Sequence, residues 1–372
     1  MSRNIAFLIM LVSLVGLTSC GDDDGASASG DGFDRQAMLT HWADNIIVPS
    51  YEVYVDRLGA LVTASETFNN ETSLVNLSGL RSAWLDAYQS WQTVSMFEIG
   101  KAEELTLRNF TNVFPVNKAD MEATIATGSF DLASVNKQDE QGFPALDYLI
   151  NGLADTDQGI VDTFLEETAE SNHGDYLVAL STSLNSLATQ VLEDWKNGYR
   201  DTFVNNDGSE ATSSVNKLVN DLLFYYEKHL RAGKIGIPAG VFSSAPLSDR
   251  VEALYSKGSS KILFETALNS FEGFFNGKSV GESVTGESLN TYLNFLNEIS
   301  GGEDLTTLIN NQFASVRTVS AELNDDFEVQ VTMDNNKMLA TYDELQKNVV
   351  YLKVDMLQAL SIRVDFVDAD GD

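Results

Sequence analysis

A short stretch of the chain, Gly142-Phe143-Pro144-Ala145-Leu146-Asp147, combines the signals of a helix start with one acidic side chain. Gly142 interrupts the preceding segment, and Pro144 suits the first turn of a helix, where its missing N–H costs nothing. Asp147 shares a helix face with Pro144 and lies near the positive end of the helix dipole. Its carboxylate could therefore bind a cation, or it could serve only to stabilise its own helix.

This stretch resembles the G-x-H-x-x-E motif of the imelysin family, also called peptidase family M75. Gly142 matches the motif, Pro144 stands in place of the histidine, and Asp147 stands in place of the glutamate. Further short segments similar to imelysin sequences follow one another in the right order: Ile46-Ile47-Val48-Pro49-x-Tyr51, Trp84-x6-Trp91, Asn112-Val113-Phe114-Pro115, Lys234-x-Gly236-x-Pro238 and Val251–Ser256. The resemblance covers residues 35–372 and is to the iron-regulated, imelysin-like lipoproteins of the Bacteroidetes type.

The resemblance implies an all-α fold of two packed helical bundles with the motif in a cleft between them. Gly142, Pro144 and Asp147 would then face this cleft. The acidic residues Glu98, Glu227 and Glu252 are expected companions, because they lie in or beside segments that match the family. Without the histidine nitrogen, any metal preference should shift from zinc toward hard ions bound by oxygen, such as calcium or magnesium, with Asp147 as a ligand.

Zinc-dependent hydrolysis is not predicted, because a catalytic zinc ion needs three protein ligands that usually include histidine. The three histidines, His41, His173 and His229, form no H-E-x-x-H motif, and none stands in the altered motif. This favours a non-catalytic binding protein of the cell envelope. The resemblance implies a link to metal or iron acquisition, with a metal ion or an envelope protein as the partner.

Two other functions stay open at the level of sequence. The family name implies a metallopeptidase, although Pro144 cannot act as a ligand. Alternatively, the cleft could bind a peptide or a polysaccharide, using the flat faces of aromatic side chains. The aromatic residues in question are Trp84, Trp91, Tyr148 and Tyr255.

The N-terminus is typical of a bacterial lipoprotein signal. Arg3 precedes the apolar run from Ile5 to Leu17, and Leu17-Thr18-Ser19-Cys20 has the form of a lipobox that ends on the only cysteine of the chain. Residues 1–19 are then a signal peptide, and Cys20 carries the lipid. This predicts attachment to the outer membrane, with the protein either in the periplasm or on the cell surface. An ordinary cleaved signal peptide is the alternative.

Residues 20–34 are rich in Gly, Ser, Ala and Asp and are expected to form a disordered acidic tether. From residue 35 onward, apolar residues recur at three- and four-residue steps, which predicts helix after helix. One apolar stripe runs through Leu80, Trp84 and Trp91, and the helix that carries it is expected to end at Gly100. The cluster Asn205-Asn206-Asp207-Gly208-Ser209 predicts a boundary between a first bundle, 35–205, and a second, 206–372.

The net charge of the chain limits the classes of partner that it can bind. The formal net charge of -32 excludes electrostatic binding to nucleic acid and to anionic lipid head groups. It is compatible with basic partners and with cations, and it is also typical of a soluble exported domain.

Overall fold

Helices account for the whole fold of the part of the chain that the structure describes. The structure is a computed structural model that describes residues 31–166, 172–281, 284–300 and 304–366. Within these ranges the only pairing of extended backbone is an isolated bridge between Lys278 and Thr285, so the predicted all-α class is confirmed. The signal peptide, Cys20 and the tether up to residue 30 lie outside the described residues, as does the tail after Phe366. The helices of the described residues include none that combines the length and the apolar character of a membrane span.

The α-helices are numbered here in chain order. They are α1 Arg35–His41, α2 Val48–Asn70, α3 Leu74–Val94, α4 Lys101–Glu104, α5 Leu107–Thr111, α6 Lys118–Thr127, α7 Gly142–Asp147, α8 Asp157–Leu165, α9 His173–Asp194, α10 Arg200–Asn205, α11 Ser214–Phe224, α12 Ile237–Ala239, α13 Ser260–Phe275, α14 Leu289–Ser300, α15 Leu305–Ser320, α16 Phe327–Val349 and α17 Leu357–Ala359.

Several of these helices continue directly into wider, π-helical turns. The π-helical segments are Trp42–Ile47, Tyr148–Gly152, Trp195–Tyr199, Tyr225–Gly236 and Val350–Met356. Short 3-10 turns cover Val135–Glu140 and Ser248–Arg250. Because π-helical turns often mark functional positions in helices, the two segments that follow α7 and α11 are of particular interest.

The first group of helices is built on α2, which packs along both α3 and α9. The predicted stripe of α3 is confirmed, because Leu80, Trp84 and Trp91 are all buried. Ser73 caps the start of α3 by accepting a hydrogen bond from the Asn76 N–H. The helix ends at Val94, before the expected Gly100, and the N–H of Glu98 donates instead to the Asp221 carboxylate at 2.7 Å.

The second group consists of α13, α15, α16 and the π-helical segment Tyr225–Gly236. Its centre is aromatic: the ring centroids of Tyr226 and Phe271 are 4.9 Å apart, and those of Phe271 and Phe313 are 6.0 Å apart. The phenylalanines of α13 recur at helical spacing, which predicts core packing, and all of them are buried: Phe264, Phe271, Phe274 and Phe275. Because α13 also packs against α3, the two groups meet along a shared helical face.

Residue spacing predicts two local features with different success. The glycines at 233, 236 and 240 predict a helix break after Arg231, but the helix that begins at Ser214 continues through Gly236 and α12 because the backbone widens into π-helical turns. It ends at Gly240, whose φ of 80° is the left-handed conformation that terminates helices. The alternation of apolar and charged residues at 362–366 predicts a short strand or an extended tail. These residues form no strand, and the Asp365 N–H donates to Asn220 Oδ1 at 3.0 Å.

Candidate functional site

Asp147 lies at the C-terminal end of α7 with its side chain 1% exposed. Its two carboxylate oxygens accept different hydrogen bonds, one from Asn151 Nδ2 at 3.0 Å and one from the Tyr255 N–H at 2.9 Å. Burial raises the pKa of Asp147 to about 7, against the opposing effect of these hydrogen bonds. The carboxylate therefore joins α7 to the π-helical turn behind it and to the loop that carries Tyr255.

Gly142 allows this arrangement because its backbone has a φ of +78°. A Cβ atom at this position would lie 2.2 Å from the carbonyl oxygen of Thr111, so only glycine permits the close approach of α7 to α5. Phe143 then stacks on Tyr88 with ring centroids 4.4 Å apart, and its carbonyl accepts a hydrogen bond from Trp84 Nε1 at 3.2 Å. The three motif positions, 142, 144 and 147, are all buried.

Glu252 is the second buried carboxylate of this region, and it belongs to the same loop as Tyr255. It forms an ion pair with Lys234 and accepts hydrogen bonds from Asn112 Nδ2 at 2.8 Å and from Gln92 Nε2 at 3.3 Å. Burial lowers the pKa of Lys234, and the Glu252 carboxylate opposes this effect. The Glu252 pair thus connects the π-helical segment Tyr225–Gly236 to α3 and to the residue that follows α5.

Tyr88 lies between the two buried carboxylates. Its pKa is raised well above its ordinary value, first by burial and then by the negative charges of Glu252 and Asp147. Its hydroxyl donates to Asn112 Oδ1 at 2.5 Å. Asp147 and Glu252, two of the residues predicted from the sequence, therefore belong to one buried polar junction.

Glu98 belongs to a neighbouring cluster that is centred on Arg108. The Arg108 guanidinium binds Asp221 in a bidentate manner, at 2.7 and 2.8 Å, and contacts Glu98 Oε2 at 3.1 Å. It also donates from Nε to the carbonyl of Ser95 at 2.6 Å. Burial raises the pKa values of both Glu98 and Asp221, and the guanidinium opposes this effect.

A small polar cavity of about 40 Å³ separates the Arg108 cluster from the Glu252 pair. Its walls combine aromatic surface from Trp91, Phe114 and Tyr225 with hydrogen-bonding side chains, those of Arg108, Lys234, Asn112, Gln92 and His229. Burial and the two nearby cations lower the pKa of His229 to about 3, so its imidazole is neutral at physiological pH. A cavity of this size can hold a few water molecules or a group of similar size.

Glu227 has different partners from the other predicted companions. It contacts Lys353 Nζ at 3.3 Å and Arg231 at 4.0 Å, and burial raises the pKa of its carboxyl. The remaining histidines, His41 and His173, each have a polar contact within the protein. His41 Nε2 is 2.8 Å from the carbonyl of Gly277, and His173 Nε2 is 3.2 Å from Glu122.

The donor atoms around Asp147 do not fit a catalytic zinc ion. Pro144 offers no ligand atom, both oxygens of Asp147 accept hydrogen bonds, and Glu252 is bound by an ammonium group. Among the residues that the structure describes, no three His, Cys, Asp or Glu side chains are grouped so that they could hold a metal ion.

The four aromatic residues considered for a peptide or polysaccharide divide into two pairs. Trp84 and Trp91 are buried in the core, and Trp91 also lines the small cavity beside Arg108. Tyr148 and Tyr255 are half-buried and pack edge to face at 5.3 Å. Lys118 Nζ lies 5.7 Å from the centroid of each tyrosine ring, so this pair is covered by a cation.

Two residues of the site, Arg108 and Asp221, were not identified from the sequence, and neither was the role of a third, Lys234. Arg108 and Asp221 form a buried ion pair but are 113 positions apart along the chain. Lys234 was part of a segment similar to the family, which was the available signal, yet nothing local showed that Glu252 would be its partner.

Solved structures with the same arrangement of helices include two that cover 90% of this chain. One is the crystal structure of an imelysin-like protein from Psychrobacter arcticum 273-4, with a TM-score of 0.68, 18% identity and 97% of that chain covered. The other is a putative iron-regulated protein A precursor from Parabacteroides distasonis ATCC 8503, with a TM-score of 0.70, 18% identity and 96% covered. At this level of identity, the two structures show the shared fold.

Sequence comparison points to the same family. Iron-regulated protein A of Synechococcus elongatus is 23% identical over 187 residues, which are 49% of this chain and 47% of that protein. The chain thus spans about half the length of the curated relative that it matches. The sequence model of the family described as Peptidase M75, imelysin, matches residues 47–356. With most of the sequence matched and the all-α fold shared, this chain belongs to the imelysin family.

Proposed function

We propose that this protein is a non-catalytic binding protein of the cell envelope that serves metal or iron acquisition and is attached to the outer membrane through a lipid on Cys20. The non-catalytic assignment depends on the hydrogen bonds of Asp147. Both of its oxygens accept hydrogen bonds from the protein, so its carboxylate connects two segments of the junction. A hydrolytic metal centre would instead need an open coordination position and a ligand at position 144.

The link to iron rests on a relative, the protein of Synechococcus elongatus that is named iron-regulated protein A. We infer that the present protein is likewise produced in response to iron supply. Asp147 is the one motif residue with ligand atoms, and a hard ion would have to replace its hydrogen bonds to Asn151 and Tyr255.

Incubation with unfolded protein substrates tests the non-catalytic assignment. We expect no cleavage by the purified protein, whether divalent ions or a chelator are added. Cleavage that a chelator abolishes would replace this proposal with the metallopeptidase that the family name implies. The double variant Pro144→His/Asp147→Glu restores the family motif and shows whether the assay detects an activity that depends on those two side chains.

Metal analysis of the purified protein and of Asp147→Ala tests the role of the carboxylate. We expect the same metal content in both, because Asp147 is engaged by protein donors. An ion that is bound by the parent and lost from the variant would make Asp147 a ligand. Protein abundance under iron limitation tests the physiological link, and an abundance that does not change with iron supply would contradict it.

A further inference from the structure

A groove of about 700 Å³ lies on the outer side of α9, away from the residues of the junction. Its walls include Leu105, Phe110, Leu132, Val178 and Leu187, which come from α9, α5, the residue after α4 and the loop before the turn Val135–Glu140. A volume of this size is within the range of small-molecule sites, and most of its walls are apolar. We call this feature the α9 groove.

The walls of the α9 groove are held in place by contacts that need no ligand. Phe130, in the loop that carries Leu132, packs edge to face on Tyr176 of α9 at 4.9 Å. The Tyr176 hydroxyl donates to the carbonyl of Glu140 at 2.7 Å, and Asn172 Nδ2 donates to the carbonyl of Ile125 at 2.9 Å. The groove is therefore preformed, which lowers the entropy lost when a ligand binds.

The charge of the groove selects the class of its occupant. Asp175 is the one ionisable side chain among its lining residues, and it is exposed. Asp131, which precedes the lining residue Leu132, is also exposed, whereas Glu104, which precedes Leu105, is paired with Lys101. With the net charge of -32 of the whole chain, this disfavours anionic amphiphiles such as fatty acids.

The shape of the groove adds to this selection. Asp175 and Leu187 are about 18 Å apart along α9, at 1.5 Å per residue. Between them, the exposed positions Thr182 and Ser186 carry small side chains that leave the groove open along the helix. An elongated apolar body with a positive charge at the Asp175 end would complement both features.

From this combination, we propose that the α9 groove binds an amphiphilic cation, with its apolar chain along α9 and its cationic head at Asp175. The proposal is independent of the function assigned to the junction, because the groove shares no lining residue with the polar cavity. It assigns a second ligand site to the protein.

Calorimetric titration with three probes of equal chain length, each below its micelle concentration, tests this inference. The probes are dodecyltrimethylammonium, dodecyl maltoside and dodecyl sulfate. We expect one-to-one binding in which the cation binds most tightly and the sulfate most weakly. Thr182→Trp and Ser186→Trp should each lower the affinity for the cation by about tenfold or more, because an indole would occupy the groove. Both positions are exposed, so both variants are expected to fold, and thermal unfolding checks this.

Matched variants separate the groove from the general charge of the protein. Asp175→Asn should lower the affinity for the cation by up to about fivefold, since exposed charge pairs contribute little. The affinity for the maltoside should stay unchanged. Val75→Trp and Asp86→Asn, at exposed positions of α3, should bind all three probes like the parent. Dodecyl sulfate binding as tightly as the cation, or a cation affinity unchanged by both tryptophan variants, would overturn the proposal.

Discussion

Asp147 illustrates how one buried side chain can keep its place in a motif and take up a different role. Its carboxylate accepts hydrogen bonds from the N–H of Tyr255 and the amide of Asn151, two donors that are partly buried. Burial nevertheless disfavours the ionised form, which is why the pKa rises to about 7. The residue therefore titrates near physiological pH and couples the stability of the junction to pH.

The stability contributed by Asp147 should fall between pH 4 and pH 7. Its pKa is 3.8 ordinarily and about 7 in the folded protein. In this range the folded state retains a proton that the unfolded state has lost, so rising pH favours unfolding. We expect the unfolding free energy of Asp147→Asn, relative to the parent, to increase by about 1–3 kcal/mol over this range and to stay constant above it. Urea unfolding at a series of pH values measures this difference, and a difference that does not vary with pH would contradict the assignment.

Gly142→Ala should be strongly destabilising. The backbone at this position has a positive φ, and the new Cβ would collide with the carbonyl of Thr111. We expect a loss of about 3 kcal/mol or more in unfolding free energy, since α7 and α5 must move apart. The matched control is Gly79→Ala, an exposed position within α3 with nothing near the new Cβ. It should stabilise the protein by about 0.5–1 kcal/mol through helix propensity, and equal effects of the two changes would argue against the contact.

At the scale of elements, two π-helical turns position the side chains of the junction. Tyr148–Gly152 brings Asn151 back onto Asp147, and Tyr225–Gly236 carries His229 and Lys234 toward the polar cavity. The loop with Glu252 and Tyr255 contacts both of them. The junction is thus a place where helices are joined by buried polar pairs in addition to apolar packing.

The Lys234–Glu252 pair provides a test of this description. Lys234→Met leaves a buried carboxylate without its cation, and Glu252→Gln leaves a buried ammonium, so each change should destabilise by about 3–5 kcal/mol. In the double variant the loss should fall short of the sum by about 2–3 kcal/mol. The same cycle on the exposed pair Lys101–Glu104 should give a much weaker coupling, because exposed ion pairs contribute little. Additive losses at Lys234 and Glu252 would show that the two residues act independently.

Much of the helical fold could be predicted from residue spacing, because each amphipathic helix carries its own periodic signal. The stripes of α3 and α13 illustrate this. The continuation through Gly233 could not be predicted, since a π-helical turn depends on tertiary contacts that hold the widened backbone. The pairing of Arg108 with Asp221 could not be predicted either, because it joins segments far apart in the chain. Gly142 and Asp147 were recognised through a family motif, but their burial was not.

At the scale of the whole molecule, the net charge bears on the proposed attachment through a lipid on Cys20. A net charge of -32 repels anionic head groups, so we expect it to disfavour membrane attachment and the lipid to provide it.

Cys20→Ser tests attachment directly. We expect the parent protein in the membrane fraction and the variant in the soluble fraction of the cell envelope, because the modified sulfur is lost. Asp22→Asn, two residues further on, is a control that leaves the sulfur in place. A variant that stays in the membrane fraction without Cys20 would point to another anchor.

The short helix α5 lies between the α9 groove and the polar cavity and contributes residues to the walls of both. Phe110 faces the apolar groove, whereas Arg108 and, just beyond the helix, Asn112 line the polar cavity. Because the Thr111 carbonyl lies against Gly142, α5 has little freedom to shift. A remodelling of either compartment, by natural variation or by protein engineering, would therefore alter the wall of the other.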